Sequence, residues 1–103
     1  MPEFVKAASV RDLPPGSHIV IEVEGFYIAV FNVNGDYYAI EDTCTHDGGP
    51  LAEGDLDGYV IECPRHGARF DIRTGKVLSF PAVTDVEAFD VKVEGGDVLV
   101  DIG

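Results

Sequence analysis

No stretch of ten residues in this 103-residue chain repeats its apolar side chains at a helical period. The apolar residues fall instead in short runs, and the 12 glycines and 6 prolines sit mostly between those runs. A chain built this way can bury its side chains only between sheets, so the pattern predicts an all-β fold of many short strands. "HIVIEVEG" sets Ile19, Ile21 and Val23 on one face and Glu22 and Glu24 on the other, a half-buried strand. "FYIAVFNVNGDYYAIED" is two apolar runs joined at Asn34-Gly35, the dipeptide that supplies the positive φ angles of a two-residue hairpin turn. Its first arm is apolar on both faces, which predicts a central strand. "YVIE" is a further short strand introduced by Asp57-Gly58, and "RFDIRTGKVLS" reads as strand, Thr-Gly turn, strand. The tail "FDVKVEGGDVLVDI" predicts a hairpin around Gly95-Gly96, with Phe89, Val91 and Val93 alternating against Asp90, Lys92 and Glu94.

The length fits one domain spanning 1–103, and 46% hydrophobic residues is ordinary for a folded chain and too high for disorder. Net charge is −12, from 19 acidic and 7 basic residues. That balance argues against nucleic acid and anionic membrane, and it steers the protein toward a basic partner surface. The longest apolar runs are broken by Glu, Asp or Gly, so no membrane span is expected. The N-terminus lacks the pattern of a signal peptide, which makes the cytoplasm the expected location. Four of the cations, Arg65, Arg69, Arg73 and Lys76, are clustered, which reads either as a docking patch or as a solvated turn of mixed charge.

Both cysteines and two of the three histidines lie in "CTHDGGPLAEGDLDGYVIECPRHGARF". Cys44 and His46 form Cys-x-His, sixteen residues intervene, and Cys63 and His66 form Cys-x-x-His. Each pair follows a strand, so two turns from neighbouring hairpins can meet at one tip. His18, alone in "GSHIVIE", reads as a surface strand residue. Four accounts of the paired residues compete. Core packing leaves the repeated Cys/His pairing unexplained. A Cys44–Cys63 disulfide sits poorly with a reducing compartment and ignores the histidines. Structural zinc accepts two thiolates and two imidazoles, but its loops usually pair Cys with Cys and His with His. A 2Fe–2S cluster needs one Cys from each segment on one iron and one His from each on the other, which two mixed pairs supply. Gly48, Gly49 and Gly67 allow close backbone approach to the sulfides, and Pro64 stiffens the second segment.

The segment resembles the Rieske iron–sulfur motif, C-x-H-x15-17-C-x2-H. "GARFDIRTGKVLSFPA" is similar to the family stretch in which a proline loop covers the cluster, and "VRDLPPGS" and the closing Gly-Gly hairpin resemble the ends of small Rieske ferredoxins. The resemblance implies a Rieske fold: three small stacked antiparallel sheets, with the cluster-binding part, about 43–82, as a subdomain tip. It implies one 2Fe–2S cluster, with Cys44 and Cys63 on the buried iron, His46 and His66 on the exposed iron, and Leu51, Phe70 and Pro81 packed around it. Respiratory members carry an extra cysteine in each loop, joined as a disulfide, and a membrane anchor. Here Gly49 (or a near neighbour) and Arg65 occupy the cysteine positions, and the residue after His66-Gly67 is Ala68, where high-potential members have a serine.

The implied role is that of a monomeric, low-potential one-electron carrier, not an enzyme in its own right. It would pass electrons from a flavin-dependent ferredoxin reductase to a terminal oxygenase, as in aromatic-ring hydroxylating dioxygenase systems. At 103 residues the chain is too short to hold a second iron site that activates oxygen. The alternatives are a Rieske-like accessory or regulatory subunit, such as a nitrite reductase small subunit or a redox sensor, and a structural zinc-binding module.

Overall fold

The computed structural model describes residues 3–43, 50–64, 67–80, 82 and 84–103. Of the residues singled out from the sequence, Cys44, His46, Gly48, Gly49, Arg65, His66 and Pro81 lie outside the described residues. The strands are β1 (Phe4–Ser9), β2 (His18–Val23), β3 (Phe26–Val33), β4 (Asp36–Glu41), β5 (Asp55–Asp57), β6 (Val60–Glu62), β7 (Arg69–Asp71), β8 (Val77–Ser79), β9 (Ala88–Phe89), β10 (Val91–Glu94) and β11 (Asp97–Asp101). They form three antiparallel sheets: a base sheet β1-β11-β10, a middle sheet β2-β3-β4-β9 and a tip sheet β5-β6-β7-β8. The all-β fold of three small stacked sheets is the one the resemblance implies.

The middle sheet explains why β3 is apolar on both faces. Ile28 and Val30 point to one side and join a buried cluster with Ala39 of β4, Leu13 of the loop before β2, and Val98 and Val100 of the base sheet. Ala29 and Phe31 point to the other and join Ile40, Leu51, Ile61, Phe70 and Ile72 of the tip side. A strand covered on both faces loses the polar alternation that marks a half-exposed one. Full burial of a side chain such as Phe31 or Ile28 contributes roughly 1.5–3 kcal/mol. The turn after β3 has Asn34 at φ 55° and Gly35 at φ 95°, as its sequence demands. Buried Asn32 locks it: its amide donates to the Leu13 carbonyl at 2.8 Å, and its side-chain oxygen accepts the Gly35 N–H at 2.8 Å.

The tail departs from the expected reading. Phe89 does not continue the Gly95-Gly96 hairpin; it lies in β9 and pairs with Ala39 of the middle sheet. The chain changes sheets at Asp90, and Val91 then pairs with Val100. Val93 is 51% exposed, so the expected alternation fades before the turn. Tip and middle sheets are also pinned by a polar cluster. The Tyr38 and Tyr59 rings meet edge to face at 5.6 Å, and the Arg73 guanidinium lies 4.4 Å above the Tyr59 ring. Arg73 donates through Nε and Nη2 to Asp71 at 3.1 and 2.9 Å. That pairing holds the Asp71 carboxyl below the usual carboxylate range, and burial with the neighbouring Tyr59 raises the Tyr38 phenol.

Candidate metal centre

Two hairpins bring the roots of the candidate ligand segments together. The first segment leaves β4 at Glu41, and its far end runs into β5; the second follows β6 and returns into β7. Because Asp55 pairs with Glu62, and Glu62 with Arg69, the residues before β5 and after β6 are neighbours. This accounts for the sixteen-residue spacing: the intervening chain travels out along β5 and back along β6. The contact at the root is backbone on backbone. A side chain at Gly54 would overlap the Glu62 carbonyl, so only glycine permits the approach.

Asp42 anchors the first segment at both ends. Its own N–H continues the ladder by donating to the Tyr27 carbonyl at 2.9 Å. Its carboxylate oxygen accepts the N–H groups of Leu51 and Ala52 at 2.8 and 2.7 Å. Asp42 is only 7% exposed, and both amides belong to buried residues. Charge-assisted bonds of this length are the strong kind, and here they span the stretch 43–50 that carries Cys44 and His46. Sequence reasoning did not single out Asp42. The available signal was an acidic residue two positions before a candidate ligand.

The second segment is tied by its own backbone. The Cys63 N–H donates to the Ala68 carbonyl at 2.7 Å, and the Gly67 N–H donates to the Cys63 carbonyl at 3.1 Å. Gly67 takes φ +78°, a left-handed conformation that other residues rarely adopt. Cys63 is 1% exposed, is in no disulfide, and packs in one cluster with Leu51, Ala68, Phe70 and Ala82. Leu51 and Phe70, two of the three residues expected around the iron–sulfur cluster, thus share the buried cysteine's core. Behind them the Val77 N–H donates to Asp85 at 2.8 Å and the Val86 N–H to the Gly75 carbonyl at 2.8 Å, which folds the chain after β8 back onto this seat. A thiol screened from water, on a turn whose backbone is already held, suits a cluster whose charge must be kept from solvent.

His18 is exposed at the start of β2, in the surface strand position expected of it, with its ring 5.7 Å from Phe31. Two members of the cation cluster have local acidic partners. Arg69 is bonded to Glu62 at 3.0 Å and Arg73 to Asp71. Both arginine side chains remain half exposed, and Arg65 lies outside the described residues.

The family model for the Rieske 2Fe–2S domain matches residues 3–90. The chain is 43% identical over 99 residues to the biphenyl dioxygenase ferredoxin subunit of Pseudomonas sp. (strain KKS102), covering 95% of this chain and 91% of that one. It superposes with a TM-score of 0.89 on a chain in the complex of reduced oxygenase and oxidised ferredoxin of carbazole 1,9a-dioxygenase, at 40% identity, covering 95% of this chain and 92% of that chain. With the ferredoxin of carbazole 1,9a-dioxygenase from Nocardioides aromaticivorans IC177 the TM-score is 0.88 at 36% identity, covering 97% of this chain and 96% of that one. Three stacked sheets, a buried cysteine between two hairpin roots and these matches lead to one conclusion: the chain belongs to the Rieske 2Fe–2S domain family, and its cofactor is one Rieske-type 2Fe–2S cluster.

Proposed function

We propose that this chain is the ferredoxin component of a multicomponent oxygenase system. It is a one-electron carrier that delivers electrons to a terminal oxygenase, and it receives them from a flavin-dependent reductase. The observation that carries the reading is the match, over nearly the full length of both chains, to a dioxygenase ferredoxin subunit. Cys44 and Cys63 are the proposed ligands of one iron, and His46 and His66 of the other, within a cluster-binding part of about 43–82 of a single domain. When bound, the cluster supplies a one-electron couple. The protein's part is to bury Cys63, to hold Gly67 and Ala68 against it, to tie the two ends of the first segment through Asp42, and to keep the two roots together through the Gly54–Glu62 contact. No helix among the described residues is long and apolar enough to cross a membrane, which is compatible with the proposed cytoplasmic location.

Two measurements test this. In anaerobic stopped flow, the protein reduced by a nicotinamide-fed flavin reductase should be reoxidised by its terminal oxygenase within one turnover. The association rate should fall as salt screens the charge of −12. A holoprotein that is reduced normally but never reoxidised by the oxygenase would remove the carrier role. The second is the potential. Rieske centres span about −150 to +300 mV, set partly by hydrogen bonds to the sulfurs. Ala68 is fully buried beside Cys63 and offers no hydroxyl donor. A value near or below about −100 mV is expected, and Ala68→Ser should raise it if its hydroxyl reaches a sulfide. Protein-film voltammetry of both forms decides the point; a parent value well above zero would contradict the low-potential reading.

A further inference from the structure

The tip sheet leaves part of the middle sheet uncovered. β2 is an edge strand, and its residues His18, Val20 and Glu22 pair with Phe31, Ala29 and Tyr27 on the face that looks toward the tip. Ala29 and Phe31 are sealed beneath the tip, at 0% and 1% exposure, but Val20 and Tyr27 remain 43% and 51% exposed. Opposite them stand Asp42, Thr43, Pro50, Ala52, Glu53 and Gly54, the roots of the first ligand segment. Between the two walls lies an open groove of about 770 Å³. Its floor is apolar. Its described lining carries one exposed carboxylate, Glu53, the buried Asp42 already bonded to two amides, and His18, with no Lys or Arg; exposed Glu22 stands beside Tyr27 on the neighbouring strand.

An apolar floor under an acidic wall selects its occupant. A second copy of this chain is disfavoured, because each copy carries a net charge of −12. An acidic peptide is disfavoured for the same reason. What complements the groove is a protein segment with an apolar side chain to cover Val20 and Tyr27 and a Lys or Arg to face Glu53 and Glu22. We propose that this groove is a docking site for a basic, apolar-tipped surface segment of an electron-transfer partner. The proposal rests on the carrier reading. It sets the contact beside the roots of the first ligand segment.

The test uses the ¹⁵N-labelled holoprotein and two synthetic peptides, Lys-Leu-Phe-Lys-Leu and Glu-Leu-Phe-Glu-Leu. The basic peptide should shift the amides of Val20, Tyr27, Ala52 and Glu53 saturably, and more weakly as salt rises. Val20→Lys and Glu53→Lys, both changes at exposed positions, should loosen it several-fold. Val20→Lys should also slow electron transfer with the reductase or the oxygenase several-fold, with potential and EPR signal unchanged. Equal binding of the acidic peptide, shifts confined to another face, or unaltered partner kinetics in Val20→Lys would overturn the proposal. So would groove amides that move on simple dilution, which would assign the groove to a second copy. A holoprotein that exchanges electrons with its oxygenase at the full rate yet gives any of these results defeats the groove alone. Failure of electron exchange in the unmodified protein defeats the carrier reading instead.

Discussion

His66→Ala should abolish the native cluster signal. If His46 and His66 are the two protein donors to one iron, the change leaves that iron with a single imidazole. The expected result is loss of the reduced-state EPR spectrum and of the visible absorption of the oxidised form. Cys63→Ala should do the same for a second reason. The thiol is buried among Leu51, Ala68, Phe70 and Ala82, so its removal takes away a soft donor at a site closed to water. His18→Ala is the matched control, because His18 is exposed and its recorded contact is with the Phe31 ring. An unaltered EPR spectrum in His66→Ala would overturn the ligand set, and a spectrum lost in His18→Ala would point to general destabilisation.

Asp42→Ala should be the most damaging change outside the ligands. It strips the acceptor from two buried amides, those of Leu51 and Ala52, at the far end of the first ligand segment. A buried donor left without a partner costs about 1–3 kcal/mol. Two of them, partly relieved by relaxation, amount to roughly 2–4 kcal/mol. For a chain of this size that is a fall in Tm of roughly 10–25 °C. Asp42→Asn keeps an acceptor oxygen in place and should lose far less. Thermal melts and the rate of cluster bleaching, followed together in the three forms, check this. The cluster of Asp42→Ala should bleach well before the fold melts, because the bonds lost are those that hold the ligand segment. Melting within a few degrees of the parent, with the same bleaching rate, would show that Asp42 does not set the segment.

The hairpins were readable because their information is local. Asn34-Gly35 and Gly95-Gly96 carry their own backbone geometry, and all four residues take the positive φ that such turns require. β2 was readable because only one of its faces is covered, which leaves the alternation intact. Other strands carried no such mark. β5 is exposed at all three of its residues, so no apolar pattern announces it. β9 is two residues long and exists because β4 offers it an edge. β1 pairs with β11 at the opposite end of the chain, with a register shift between Lys6 and Ala8. The spacing of Cys44, His46, Cys63 and His66 marks a ligand set, but nothing in it points to Asp42. Its role comes from two amides nine and ten residues away.

The sequence by itself determined that the chain is all β, where its tight turns fall, and which residue types can serve a cluster. Those properties depend on backbone preferences and side-chain chemistry within a few residues. Only the tertiary structure decided which sheet each strand joins, that Phe89 belongs to the middle sheet while Val91 belongs to the base, and that the tip leaves Val20 and Tyr27 uncovered. An alternating pattern states that one face must be buried, but it does not state against what. That is settled by long-range pairing and by the space left where backbones meet, as at Gly54 and Glu62, where a single added carbon would force the two ligand roots apart.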